Sequence, residues 1–170
     1  ALSGIVTDQS IRVAGDDFTM DIVEYVKRQH NILIGERTAE QVKIHVGSAL
    51  QDLENPPEDF AVHGRDLLTG IPKQVTVAYS EIAGCLDKSI SKIEEAIMKA
   101  LESTPPELAS DIYRKGIYLT GGGALLRGLD KRIAMKTKLP VKVADDPLRA
   151  VVRGTGIALK NRHRYTFLMS

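Results

Sequence analysis

The chain has no tryptophan, one cysteine, three phenylalanines and five tyrosines among its 170 residues. A single cysteine, Cys85, excludes an internal disulfide framework and suits a reducing compartment. Its place in a helical pattern marks it as a small buried hydrophobe. Charge of one sign is also lacking. Lys and Arg number 23 against 22 Asp and Glu, a net of +1, so no bulk field draws the chain to nucleic acid or to an anionic membrane. No apolar run approaches the roughly 20 residues that span a bilayer, and no secretory leader is visible. The four histidines (His30, His45, His63, His163) lack ligand spacing, and no CxxC or HExxH occurs, so no side-chain metal site is expected. No Ser-His-Asp or Cys-His arrangement stands out as a nucleophile. What remains, 43% hydrophobic and 26% charged, suits a soluble globular protein of one domain or two small subdomains sharing a core.

The stretch with most chemistry in it is Gly116-Ile-Tyr-Leu-Thr-Gly-Gly-Gly-Ala-Leu-Leu-Arg-Gly-Leu129. An apolar strand, Ile117 to Leu119, runs into three glycines, and a helical pattern follows at once. Glycine lets the backbone turn at positive φ and lets a ligand lie on the main chain. A helix starting there would aim unpaired N–H groups and a positive dipole end at that ligand. Strand, Gly-rich turn and helix form a cradle for a nucleotide or phosphate; a tight turn without a ligand would use the same residues.

Periodicity orders the rest. Short strands are expected at Ile5–Thr7 and Ser10–Val13. Asp17 is placed to cap a helix with apolar Phe18, Ile22, Val23 and Val26, ending near His30. Asn31 to Gly35 reads as an apolar connector. A second helix runs from Glu36 to about Val46 and is stopped by Gly47. After a polar loop, Phe60–His63, Asp66–Thr69 and Lys73–Tyr79 read as three short strands. Ser80 opens a long helix with Ile82, Leu86, Ile90, Ile93, Ile97 and Leu101 on one face. Thr104, Pro105 and Glu107 form a capping box for a helix to about Arg114. The Gly-rich turn, a helix to about Lys136, a strand at Val141–Ala144 and a last helix capped at Asp146-Pro147 complete the order. Ala1 to Thr7 reads as a strand already in progress, as expected of a chain that starts within a longer protein.

Other side-chain groupings are each open to a plain explanation. Glu40 and Lys43 share a helix face. They could hold a ribose and an adenine or phosphate, or form a solvated ion pair worth about 0.2–0.5 kcal/mol. Asp16 and Asp17 suit a helix start better than a catalytic pair. Arg149 with Arg153, and Arg162-His-Arg164, suit solvated faces.

Taken together, several stretches resemble the MreB family of bacterial actins, over about Gly4 to Asn161. These are Ser10-Ile-Arg-Val-Ala-Gly-Asp16, Leu33-Ile-Gly-Glu-Arg-Thr-Ala-Glu-Gln-Val-Lys43, Gly47-Ser-Ala49, Gly64-Arg-Asp-Leu-Leu-Thr-Gly-Ile-Pro-Lys73, Thr104-Pro-Pro-Glu-Leu-Ala109, Leu119-Thr-Gly-Gly-Gly-Ala-Leu-Leu-Arg127 and Ala144-Asp-Asp-Pro-Leu148. The resemblance is to the family's C-terminal half. It implies an actin-like ATPase fold: a ribonuclease H-like α/β subdomain (1–31 and 80–170) with a small inserted α+β subdomain (32–79). It implies ATP or ADP with Mg²⁺ as cofactor. The family's adenosine loop falls on Gly122, Gly123, Ala124 and Leu125, and its ribose and adenine contacts fall on Glu40, Gln41, Val42 and Lys43. The family's phosphate loops and catalytic acid are expected upstream, so this chain should not hydrolyse ATP alone. The implied role is polymerisation with ATP, head to tail with copies of itself, at the inner face of the bacterial membrane in the cytoplasm. Cell-wall elongation proteins would be the partners, and nucleic acid would not. The competing reading is a non-filamentous ATPase or kinase of the same superfamily, and a third is a stand-alone interaction module.

Overall fold

The structure, a computed structural model, describes residues 15–144. The strands expected before residue 15, the final helix at Asp146-Pro147, the Arg149/Arg153 pair, the Arg162–Arg164 cluster and the C-terminal tail lie outside the described residues. The described chain falls into two compact units. One holds Gly15, Ile90–Leu125 and residues 129–144; the other holds Asp16–Ser89 and Leu126–Gly128. The fold class is α/β, with helices alternating with two small sheets.

In the second unit, α1 (Gly15–His30) buries Phe18, Ile22 and Val26 of the stripe its spacing predicts, while Val23 is only half-buried. Asp17 does not stand before the helix as its cap; it lies inside the first turn with Asp16. There a carboxylate still faces the positive end of the helix, and Lys27, Arg28 and His30 match the negative end. The connector contains a two-residue strand, β1 (Ile32–Leu33), which pairs antiparallel with β2 (Phe60–Asp66). β2 pairs in turn with β3 (Pro72–Val77), from Phe60 opposite Val77 to Arg65 opposite Pro72.

The expected strand over Asp66–Thr69 is absent: Asp66 ends β2, and the next residues turn. Its carboxylate accepts the N–H groups of Leu68 at 2.7 Å and Thr69 at 3.1 Å, and lies 3.5 Å from the Lys73 ammonium. An aspartate that captures the backbone two and three residues ahead forms a turn instead of extending a ladder.

Helix α2 (Glu36–Val46) has the predicted bounds and buries Ala39, Val42 and Val46. Gly47 closes it, its N–H donating to the Lys43 carbonyl at 2.9 Å. The long helix α3 (Tyr79–Glu102) begins in this unit and continues into the other. The Cys85 thiol donates to the Asp21 carbonyl of α1 at 3.3 Å, and Ser89 donates to the Asp21 carboxylate. Burial, with Asp21 nearby, pushes the Cys85 thiol up to about 12, so it stays neutral; the residue is half-buried rather than the fully buried hydrophobe the sequence suggests.

In the first unit, α3 buries Ile90, Ile93 and Ile97. The capping box at Thr104 does not form. The Thr104 hydroxyl donates backward to the Ala100 carbonyl at 2.9 Å, an acceptor in the last turn of α3. Pro105 becomes the cap of a three-residue 3₁₀ turn (Pro106–Leu108) that leads into α4 (Ala109–Lys115). Gly116, at φ +76°, closes α4 with its N–H on the Ile112 carbonyl at 2.7 Å. Strands β4 (Ile117–Leu119) and β5 (Val141–Val143) then pair in parallel, joined through α5 (Leu129–Thr137). Arg132 of α5 donates to Glu94 of α3 and reaches the Ser91 hydroxyl at 3.4 Å.

Candidate functional site

The glycine-rich turn sits where the sequence puts it, at the end of β4, but no α-helix springs from it. Gly122–Leu125 is a single 3₁₀ turn, and α5 starts only at Leu129. Gly128, at φ +75°, breaks the helical run between them. The helix-dipole argument for a phosphate at this turn therefore does not hold, and what remains is an open main chain. Gly121 takes φ +88°, a conformation natural to glycine, and its carbonyl accepts the Ala124 N–H at 3.2 Å. Gly123 and Ala124 are buried, Gly122 is half-buried, and Leu125 is exposed. Next to them the Thr120 hydroxyl, 2% exposed, has no hydrogen-bond partner among the described residues. A buried hydroxyl without a partner is uncommon.

The second group of predicted residues lies on α2. Glu40 and Lys43 form more than a solvated i,i+3 pair. The Lys43 ammonium lies 2.8 Å from Glu40 Oε2 with only 12% of its side chain exposed, against 32% for Glu40. Thr19 of α1, 6% exposed, donates to the same Glu40 oxygen at 3.0 Å. Lys43 also donates to the Thr19 hydroxyl at 3.3 Å. Three polar groups from two helices thus converge in a half-buried cluster. Glu40 thus presents its carboxylate beside an ammonium, and a carboxylate is the acceptor that vicinal hydroxyls need. Gln41 projects to solvent, whereas Val42 is fully buried and has only its backbone to offer a ligand.

The two sets of residues belong to different compact units: α2 offers a carboxylate of the kind sugar hydroxyls need, and the turn offers a glycine-rich main chain beside the Thr120 hydroxyl. For a divalent cation, no group of three or more His, Cys, Asp or Glu gathers among the described residues, and no step is assigned to Mg²⁺ here.

Two contributors escape the sequence. Thr19 lies on the buried stripe of α1 between Phe18 and Ile22, and a hydroxyl on an apolar face is the one clue to it. Arg127 follows the turn and donates to the Ile44 carbonyl of α2 at 3.1 Å and the Gly47 carbonyl at 3.4 Å. Nothing local in its sequence points to that contact.

A second polar cluster gathers around Glu81. Glu81 accepts the Tyr25 hydroxyl at 2.9 Å, the Ala78 N–H at 2.8 Å and a contact from His30 at 3.2 Å. Burial works against the Glu81 carboxylate, but the Ala78 N–H, the Tyr25 hydroxyl and His30 together hold it below the usual range. Burial and Glu81 push Tyr25 up to about 12.

Residues 1–166 match the family model described as MreB/Mbl protein. The chain is 45% identical to the cell shape-determining protein Mbl of Bacillus subtilis, over 95% of this chain and 48% of Mbl. It is 46% identical to the cell shape-determining protein MreB of Escherichia coli, over 94% of this chain and 46% of MreB. The crystal structure of MreB5 of Spiroplasma citri bound to ADP superposes with a TM-score of 0.80 at 42% identity, over 85% of this chain and 43% of MreB5. The fold is thus that of a partial actin-like ATPase, and the chain spans about half the length of the relatives it matches. On this agreement of sequence and fold, the chain belongs to the MreB/Mbl family of bacterial actins.

Proposed function

We propose that this chain supplies the adenosine side of the nucleotide site of a bacterial actin that polymerises with ATP and sets cell shape. The observation that carries this reading is the half-buried cluster of Thr19 of α1 with Glu40 and Lys43 of α2, in a family with an ADP-bound member. In it, Glu40 accepts the two ribose hydroxyls, Lys43 pairs with Glu40 and packs beside the adenine, and Thr19 fixes the Glu40 side chain. Gln41 and the Val42 backbone flank that contact. Gly122, Gly123 and Ala124 give the base and sugar a main chain without bulk, and Leu125 offers an apolar side chain. ATP would be the nucleotide on which assembly depends. The Mg²⁺ and phosphate clamps that hydrolysis requires are no part of what we assign to this chain. We keep 32–79 as the inserted subdomain and the flanking segments as the outer one. The filaments would lie in the cytoplasm under the inner membrane, with cell-wall elongation proteins as partners.

The test is ATP-dependent sedimentation of a chimaera that joins the N-terminal half of Bacillus subtilis Mbl to this chain. Pelleting that needs ATP, and is lost in a Glu40→Ala, Gly122→Val double variant, is the expected result. ATP turnover without pelleting would move the protein to a non-filamentous ATPase or kinase.

A further inference from the structure

The three residues that leave the glycine-rich turn, Leu126–Gly128, lie in the same unit as α2 and are held there at every position. Ser48 and Arg127 form a parallel bridge, with the Ala49 N–H donating to the Arg127 carbonyl at 2.8 Å. Leu126 is buried so close to the end of α2 that a Cβ on Gly47 would stand 3.0 Å from its Cδ1. Gly128 turns at φ +75° with Leu50 against it, where a Cβ would come within 2.8 Å.

Arg127 adds a side-chain tie. Its guanidinium donates through Nη1 to the carbonyls of Ile44 and Gly47. Carbonyls in the last turn of a helix have no partner within it, and a cation there is favoured by the dipole. The side chain is exposed, so its electrostatic contribution is damped by solvent. Its geometric effect is not damped. Ile44 is the residue after Lys43 and one turn beyond Glu40, so the tie acts on the part of α2 that carries both.

We propose that Arg127 is a positioning residue for the nucleotide site. It clamps the C-terminal turn of α2 so that Glu40 and Lys43 stand at the ribose and the base, without touching the nucleotide itself. This rests on the reading of α2 as the nucleotide helix.

The experiment titrates ADP and 2′-deoxy-ADP into the 170-residue chain, followed by amide NMR shifts, for wild type, Arg127→Ala, Arg127→Lys and Glu40→Ala. The ratio of the two affinities reports whether Glu40 meets the ribose hydroxyls. Wild type is expected to prefer ADP by at least about tenfold, the gain of one added charge-assisted hydrogen bond. Arg127→Ala should bring the ratio near one while Glu40 stays in place. Arg127→Lys, which keeps the charge but not the planar fork, should retain about half the preference. If Arg127→Ala keeps the wild-type ratio while Glu40→Ala loses it, the positioning role fails and the nucleotide reading stands. If Arg127→Ala weakens both ligands equally, in step with a lowered melting temperature, Arg127 is structural only. If wild type shows no shifts on α2 with either ligand, the nucleotide reading fails and the inference with it.

Discussion

Gly116 shows how much one residue can decide. Its φ is +76°, and a Cβ there would lie 2.1 Å from the Pro140 carbonyl oxygen. That same carbonyl accepts the Ile117 N–H at 2.8 Å, the first bond tying β4 to its partner. Gly116→Ala therefore meets both backbone strain and a collision with an atom that cannot move away. The left-handed backbone alone costs about 1–3 kcal/mol, and urea denaturation should show at least that loss. Glu81 decides a different property. Its carboxylate is held below the usual range by the Ala78 N–H, Tyr25 and His30, which outweigh its burial. A group whose folded value is depressed stabilises the fold above its unfolded value and loses that contribution as pH falls through the folded one. Glu81→Gln should therefore melt below wild type at neutral pH, and the gap should close in acid below the glutamate range. Tyr25 acts at the other end of the scale. Its value is raised from 10.0 to about 12, so its contribution is intact below 10 and is lost as pH rises through about 12.

At the scale of elements, legibility followed how local the deciding interaction was. Helix α2 was readable to the residue, because Ala39, Val42 and Val46 set its buried face and Gly47 ends it. The same spacing put Glu40 and Lys43 side by side. It could not bring Thr19, which arrives from α1 by tertiary packing and turns a surface ion pair into a half-buried cluster. Where two local motifs competed, the sequence was ambiguous. Thr104 can serve the helix after it or the helix before it, and its hydroxyl serves α3. The helical spacing after the glycines ignored Gly128, whose positive φ delays α5 to Leu129. Asp66 was read as part of a third strand, and its side chain instead builds the β2–β3 turn. Asp66→Ala tests that account. Its carboxyl is held below the usual range first by the Leu68 and Thr69 N–H groups. Without it those amides lose their acceptor, and hydrogen exchange at Leu68 and Thr69 should speed up at least several-fold. Exchange in β2 and β3 away from the turn should change little, because their ladder does not pass through Asp66's side chain.

For the whole molecule, the two sets of predicted residues belong to different compact units, and both serve adenosine in our reading. The groups we assign accept hydroxyls or lie against a base; none is assigned to a phosphate. That division has a measurable consequence for ligand choice. Contacts confined to a nucleoside supply a small part of a nucleotide's binding energy, and association entropy absorbs much of what they supply. The 170-residue chain should therefore bind weakly, with a Kd on the order of 1 mM, equivalent to only about 4 kcal/mol. Adding phosphates should not help it, so adenosine, AMP and ADP should bind within about twofold of one another. In the chimaera with the N-terminal half of Mbl, phosphate contacts would add charge-assisted hydrogen bonds of about 1.5–3 kcal/mol each. Two such bonds correspond to a factor of at least about 100, so the chimaera should prefer ADP over adenosine by that much. Titration of the three ligands into both proteins reads the two ratios directly. A chain that already prefers ADP strongly on its own would place phosphate-binding groups within these 170 residues and displace the boundary we have drawn. A chimaera that gains nothing from the phosphates would show that the two halves do not complete one site.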